Sequence, residues 1–99
     1  MGVYKLSNKA ETDLAEMYEF GIYKFGLLQA QRYFNGMHEV FGVLAENIDL
    51  GCDASEFIGD LKRFSYKAHT IFYFQTTSGI FVLRVLSQRM DYTHSLQET

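Results

Sequence analysis

Arg84 lies inside the most apolar run of the chain, Ile80-Phe81-Val82-Leu83-Arg84-Val85-Leu86, which reads as a central β-strand. A guanidinium keeps its charge in a protein, so burying one without partners is costly. Three outcomes are open at this position. Arg84 has a carboxylate partner, or its stem packs on the sheet with its head in water, or its face of the sheet is open to something negative. The polar groups that could join it on such a face are Lys62, Arg63, Lys67, His69, Tyr73 and Arg89.

General acid–base chemistry would need a base, an acid and a cation within hydrogen-bond reach of one another. His69, Tyr73 and Arg84 are the candidates for it. Plainer readings compete: Tyr73 as a core ring with its hydroxyl bonded, His69 as a satisfied strand histidine. Cys52 is the sole cysteine, which excludes an internal disulfide and a cysteine metal cluster, and no base or cation adjoins it in sequence. His38, His69 and His94 lack ligand spacing. Neither a metal nor a cofactor is expected.

The other charges favour an outward Arg84. Between Leu61 and Met90 stand Lys62, Arg63, Lys67, Arg84 and Arg89, with no acid among them. Before that stretch four basic residues face ten acidic ones, and Asp91 and Glu98 follow, so a net charge of −3 conceals a basic region and an acidic one. Such asymmetry implies two surfaces with different partners, one of them anionic. The competing reading is that the acidic helices pair with the basic strands within the monomer.

Ninety-nine residues make one domain with a single modest core, 1–99, whose end (92–99) reads as a loosely ordered tail. Nine Phe and seven Tyr without Trp make it ring-rich. No apolar stretch is long enough to span a membrane, and no signal peptide is expected. Met1-Gly2 lacks the Ser or Thr at position 6 that myristoylation wants. A cytoplasmic location is expected.

Val3 to Leu6 reads as a short strand, after which Ser7 or Asn8 caps a helix with Glu11 and Asp13 in its first turn. Ala10, Leu14, Met17, Tyr18 and Phe20 form its buried stripe, and Phe25-Gly26 turns the chain. Leu27, Ala30, Phe34, Met37, Phe41, Leu44 and Ile48 recur at spacings of three and four, the seam of an antiparallel helical hairpin. Gly36 and Gly42 inside this second helix suggest close approach to a strand. From Gly59 the period becomes two, giving strands at Leu61 to Tyr66, His69 to Gln75 and Ile80 to Ser87, with Thr77-Ser78-Gly79 as a hairpin turn. The fold class is α+β, in the order β-α-α-β-β-β, a helical hairpin on a small, mainly antiparallel sheet. Alternation along the last strand places Ile80, Val82, Arg84 and Leu86 on one face and Phe81, Leu83, Val85 and Ser87 on the other.

The blocks Tyr4-Lys5-Leu6-Ser7 through Ala10 and Asp13-Leu14, then Phe25-Gly26 with Gln29-Ala30 and Tyr33, resemble the RelE/ParE superfamily of bacterial toxins. So do Leu44-Ala45-Glu46-Asn47 before Leu50-Gly51, His69-Thr70-Ile71-Phe72-Tyr73, and Leu83-Arg84-Val85-Leu86-Ser87-Gln88-Arg89-Met90-Asp91. The ending is similar to the ParE branch. That resemblance implies the toxin of a type II toxin–antitoxin pair, not an enzyme, which poisons DNA gyrase, arrests growth and stabilises a plasmid or genome. It also implies a ParD-like antitoxin that wraps the toxin. Ile48 stands where the family often has proline, and Ser87 where many relatives have histidine. The alternative that the resemblance implies is a ribosome-dependent messenger-RNA endonuclease of the RelE branch, cleaving RNA by 2′-hydroxyl attack with His69, Tyr73 and Arg84 as its residual site. Against it, the chain is acidic, and Thr70 replaces the arginine of the corresponding pattern. A decayed toxin that merely binds antitoxin is a third reading.

On the ParE reading the target-binding residues are Lys62, Arg63, Arg84, Arg89, Met90 and Asp91, although Asp91 could instead pair with Arg89 or serve a turn. Ring-rich composition suggests an antitoxin groove over the hairpin, formed by Leu14, Tyr18, Tyr33, Phe34, Met37 and Phe41. No membrane partner and no sequence-specific nucleic-acid binding are expected. Arg84→Glu should then abolish activity and leave the fold intact.

Overall fold

In the computed structural model, which describes residues 2–97, the chain starts with strand β1 (Val3–Leu6) and passes directly into helix α1 (Asn8–Phe25). Ser7 makes that passage: its Oγ accepts from the Ala10 amide at 2.9 Å and donates to the Leu83 carbonyl at 2.6 Å. It thus caps the helix and ties it to the sheet at once. Gly26, at φ +91°, is the whole turn between α1 and helix α2 (Leu27–Glu46). A residue with a Cβ is disfavoured there, and the glycine amide closes α1 by donating to the Ile22 carbonyl.

After a short 3-10 turn at Ile48–Leu50 come β2 (Cys52–Asp53), β3 (Lys62–Tyr66), β4 (His69–Gln75), β5 (Gly79–Ser87) and helix α3 (Tyr92–Gln97). The five strands lie in the order β1-β5-β4-β3-β2; β1 runs parallel to β5 and every other pair is antiparallel. The α+β class and the helical hairpin are as read from the sequence. Two elements were not. β2 is only two residues long and carries no period of its own. Tyr92–Gln97, expected to be a loose tail, is helical, and Leu96 within it is buried; so short a helix, opening on the weak formers Tyr92, Thr93, His94 and Ser95, is held by tertiary contacts. Glu98 and Thr99 lie outside the described residues.

The sheet buries both faces. On one, Leu14 of α1 and Met37, Phe41 and Leu44 of α2 pack on Ile71, Tyr73, Ile80, Val82 and Val85. On the other, Leu61, Phe72 and Leu86 are covered by the 54–61 loop and α3, through Phe57 and Tyr92, whose rings meet Phe72 edge-on at 5.9 and 5.1 Å. A backbone irregularity decides which residue joins which core. Tyr73 pairs with Val82 but Phe72 pairs with Arg84, so β5 spends an extra residue, Leu83, and the alternation resets. Val85 therefore enters the core beneath the helices and Leu86 the core beneath α3, although strict alternation put Leu86 with Ile80 and Val82.

Gly36 has the close approach expected of it: a Cβ there would strike the hydroxyl of Tyr66 on β3. Gly42 has nothing within 4 Å, and nothing in the structure explains it. The stripe of α1 stops short of Phe20, which is 62 % exposed, and the α2 seam starts after Leu27, which is 54 % exposed.

Candidate functional site

Arg84 faces inward. Its Nε and Nη2 donate to the two oxygens of Asp13 on α1 at 2.8 and 2.9 Å, and Nη1 donates to the Ser95 carbonyl on α3 at 2.8 Å. Both side chains are about nine-tenths buried. The Asp13 carboxylate also accepts from the Val85 amide at 3.0 Å. The reason is visible in the ladder. β1 covers β5 only through Val82, and Asp13 supplies the acceptor that the missing strand would have given at Val85. A fork-on-fork pair of this kind is among the stronger hydrogen-bonded contacts. Arg84 thus bridges α1, β5 and α3 and is a structural residue. The outward basic ledge built around it does not exist, and Arg84→Glu would set carboxylate against carboxylate.

The remaining expected target residues scatter. Lys62 and Arg63 are successive residues of β3, so they point to opposite sides of the sheet, and β4 separates them from β5. Arg89, Met90 and Asp91 follow β5 together and are exposed. Asp91 serves the turn: its Oδ1 accepts from the His94 amide at 3.3 Å, and its carbonyl from the Ser95 amide at 3.0 Å.

The trio considered for RNA cleavage does not converge. Tyr73 is fully buried, and its hydroxyl donates to the Ile48 carbonyl at 3.0 Å; burial raises its pKa. His69 stands four residues away on β4, about 13 Å along the strand, and Arg84 is committed to Asp13. His69 meets Tyr33 instead, with Nδ1 at 2.8 Å from the phenol oxygen, and the Ala68 amide donates to that oxygen at 3.2 Å. Burial lowers the His69 pKa against the opposing pull of Asp13, and burial raises that of Tyr33.

Of the residues expected to hold an antitoxin, Leu14, Met37 and Phe41 are core, with exposures of 3 % or less, and are closed to any partner. Tyr18, Tyr33 and Phe34 are half-buried. The accessible apolar surface lies further along, towards the turn of the hairpin, where Phe20, Tyr23, Phe25 and Leu28 are each more than half exposed. Below it a groove of about 770 Å³ runs between the second half of α1, the start of α2, the β3–β4 turn and the end of β5. Met17, Phe20, Phe25 and Met90 supply its apolar walls, and Lys24, Lys67 and Arg89 its basic groups. Tyr33 of α2 and Arg89 at the end of β5, remote in sequence, thus line the same groove. The missed signal was the cluster of large apolar residues from Phe20 to Leu28, whose density around a one-glycine turn exceeds what two packed helices can bury. Among the described residues no group of His, Cys, Asp and Glu could hold a metal, and no helix is long and apolar enough to cross a membrane.

The fold is thus a helical hairpin laid on a five-stranded sheet, with an open, largely apolar groove at the turn end of the hairpin. Residues 4–92 match the model of the family described as the ParE toxin of the type II toxin–antitoxin system parDE. Toxin ParE1 of Mycobacterium tuberculosis is 33 % identical over 94 residues, covering 94 % of this chain and 96 % of that relative. Toxin ParE1 of Caulobacter vibrioides is 25 % identical over 91 residues, covering 92 % and 94 %. A chain of the chromosomal ParDE system from P. aeruginosa superposes with a TM-score of 0.74 at 17 % identity, over 88 % of this chain and 96 % of that one, and so shares the fold. The chain belongs to the ParE toxin family: it is a ParE-type toxin of a type II toxin–antitoxin system.

Proposed function

We propose that the protein binds DNA gyrase in the cytoplasm, traps it on cleaved DNA and so blocks replication, and that a ParD-like antitoxin holds it inactive until the antitoxin is lost. Family membership supports the toxin role, and the exposed apolar surface around the groove supports action by binding another protein. That surface is the observation that carries the reading. It leaves large rings in water that a domain with no partner would be expected to bury. Arg89 and Met90 are exposed members of the expected target surface that also line the groove. The endonuclease alternative loses its residues, because His69, Tyr73 and Arg84 serve three separate structural contacts.

The test pairs a gyrase supercoiling assay with a translation assay, both on the purified chain. Loss of supercoiling with accumulation of cleaved DNA and intact translation is the expected result. Blocked translation with unaffected supercoiling would overturn it. Co-expression of a neighbouring ribbon-helix-helix gene should restore growth.

A further inference from the structure

The proton on the His69 ring is placed by what surrounds Tyr33. The Ala68 amide donates to the Tyr33 phenol oxygen at 3.2 Å, so the phenol has one proton left to give. Its nearer acceptor is His69 Nδ1, at 2.8 Å against 3.4 Å for the Tyr66 carbonyl. Nδ1 therefore accepts, and the imidazole proton sits on Nε2. Burial, which lowers the His69 pKa, favours this neutral ring over the pull of Asp13. Among the described residues nothing engages Nε2, and no buried side-chain nitrogen lacks a partner, so Nε2 opens to solvent. His69 lines the groove, which is where that N–H is offered.

Three further donors adjoin it. Ser87 lies directly across the β4–β5 ladder from His69, on the same face, with Cβ atoms about 5 Å apart. Its Oγ accepts from the Arg89 amide at 3.3 Å and has no acceptor of its own among the described residues, so its proton is available. The Lys67 ammonium lies 5.7 Å from the Tyr33 ring centroid and 5.4 Å from that of Tyr66, held beside the phenol by both rings. Neither Lys67 nor Arg89 is ion-paired among the described residues, and the Asp13 charge is met by Arg84. Glu16 is the other acid of the groove, and Lys24 also lines it.

We infer that His69, Ser87, Lys67 and Arg89 form a binding site for a phosphate group. Two neutral donors and two cations suit an anion whose three oxygens share nearly two charges, whereas a carboxylate has only two oxygens to bond. The group belongs either to free phosphate and nucleotides or to a nucleic-acid backbone. His69 meets it as a fixed donor, and Tyr33 is the positioning residue that keeps the proton on Nε2.

The test is a titration of the full chain, labelled with nitrogen-15, at a pH where His69 is neutral. Inorganic phosphate should shift the His69 Nε2 signal saturably and leave His94 unmoved, and acetate at equal ionic strength should do neither. A short DNA duplex that saturates the same signal at a tenth of the phosphate concentration or less assigns the group to a nucleic-acid backbone; without that gain it is free phosphate. His69→Phe keeps a ring against Tyr33 and removes Nε2; read at the Ser87 amide, it should weaken binding about tenfold at low and high salt alike. Arg89→Gln and Lys67→Asn should weaken binding severalfold at low salt and little at high salt, where a cation is screened. Asparagine is at ease at the φ of +53° that Lys67 adopts. Circular dichroism verifies folding. If His69→Phe does not fold, Tyr33→Phe replaces it: Nδ1 then takes the proton, and phosphate affinity should fall as that tautomer appears in the nitrogen spectrum. An equal response to acetate, an unmoved His69 signal, or binding unchanged in the variant read would overturn the inference. Gyrase is absent from these titrations, so their failure leaves the gyrase reading standing, and loss of that reading in the supercoiling assay leaves this site standing.

Discussion

Replacing Asp13 by alanine should be the most damaging single change to a charged residue in this protein. It removes two charge-assisted bonds to Arg84 and the acceptor of the Val85 amide, while the guanidinium stays nine-tenths buried. Breaking one side of a buried pair costs about 3–5 kcal/mol, against about 5–15 kcal/mol for the whole of a domain this size. At about 4–8 °C per kcal/mol the melting temperature should fall by about 12–40 °C. Thermal melts followed by circular dichroism read this directly. Two comparisons sharpen it. Glu16→Ala, three residues along and exposed, should change stability by no more than about 0.5 kcal/mol. The double variant Asp13→Leu with Arg84→Met replaces the pair by apolar groups and should recover most of the loss, leaving about 1–3 kcal/mol for the orphaned Val85 amide. If Asp13→Ala shifts the melting temperature by less than about 4 °C, the assignment of Arg84 as a bridge between α1, β5 and α3 is wrong.

Other expectations follow from local geometry. Gly36→Ala should cost about 1–3 kcal/mol through overlap with the Tyr66 hydroxyl, and adding Tyr66→Phe should restore most of it, since the next atom of that ring lies at 3.3 Å; denaturant titration of the three variants checks it. Gly42→Ala meets nothing within 4 Å and should stabilise by about 1 kcal/mol through helix propensity, seen as a higher melting temperature. His38 and His69 are both held below the ordinary histidine pKa by burial. The unfolded chain therefore binds the extra protons first, so stability is full above about pH 6.5 and falls as the pH drops below it. Melts from pH 8 to pH 5 should show this, and His38→Gln with His69→Gln should flatten the curve. A melting temperature that rose on acidification would refute the assignment.

The helical hairpin was legible because spacings of three and four continue through Met37, Phe41 and Leu44, and the strands because β-branched and aromatic residues alternate from Leu61 onward. What failed was local phase and long-range pairing. A bulge at Leu83 has no signature in an unbroken apolar run, yet it moves Val85 and Leu86 to opposite cores. Asp13 looked like a first-turn acid satisfied by the helix dipole, and its partner lies 71 residues away. The same distance hid the groove. Lys24, Tyr33, Lys67 and Arg89 meet only once the sheet has placed the β3–β4 turn beside the hairpin. Expected partner contacts at Leu14, Met37 and Phe41 failed for a related reason, because periodicity marks a buried stripe without saying whether the chain or another molecule covers it.

The parallel pairing of β1 with β5 sets an order of events during synthesis. Val3 aligns with Gly79, where even a methyl group would collide with the Val3 backbone. The earliest strand to leave the ribosome thus waits for the final one before it has a neighbour, a long-range closure of the kind that slows folding. Until then Ser7 cannot reach Leu83, nor Asp13 its arginine, and the poison is still unassembled. On the proposed reading, that delay gives an antitoxin time to meet the chain before the toxin is complete.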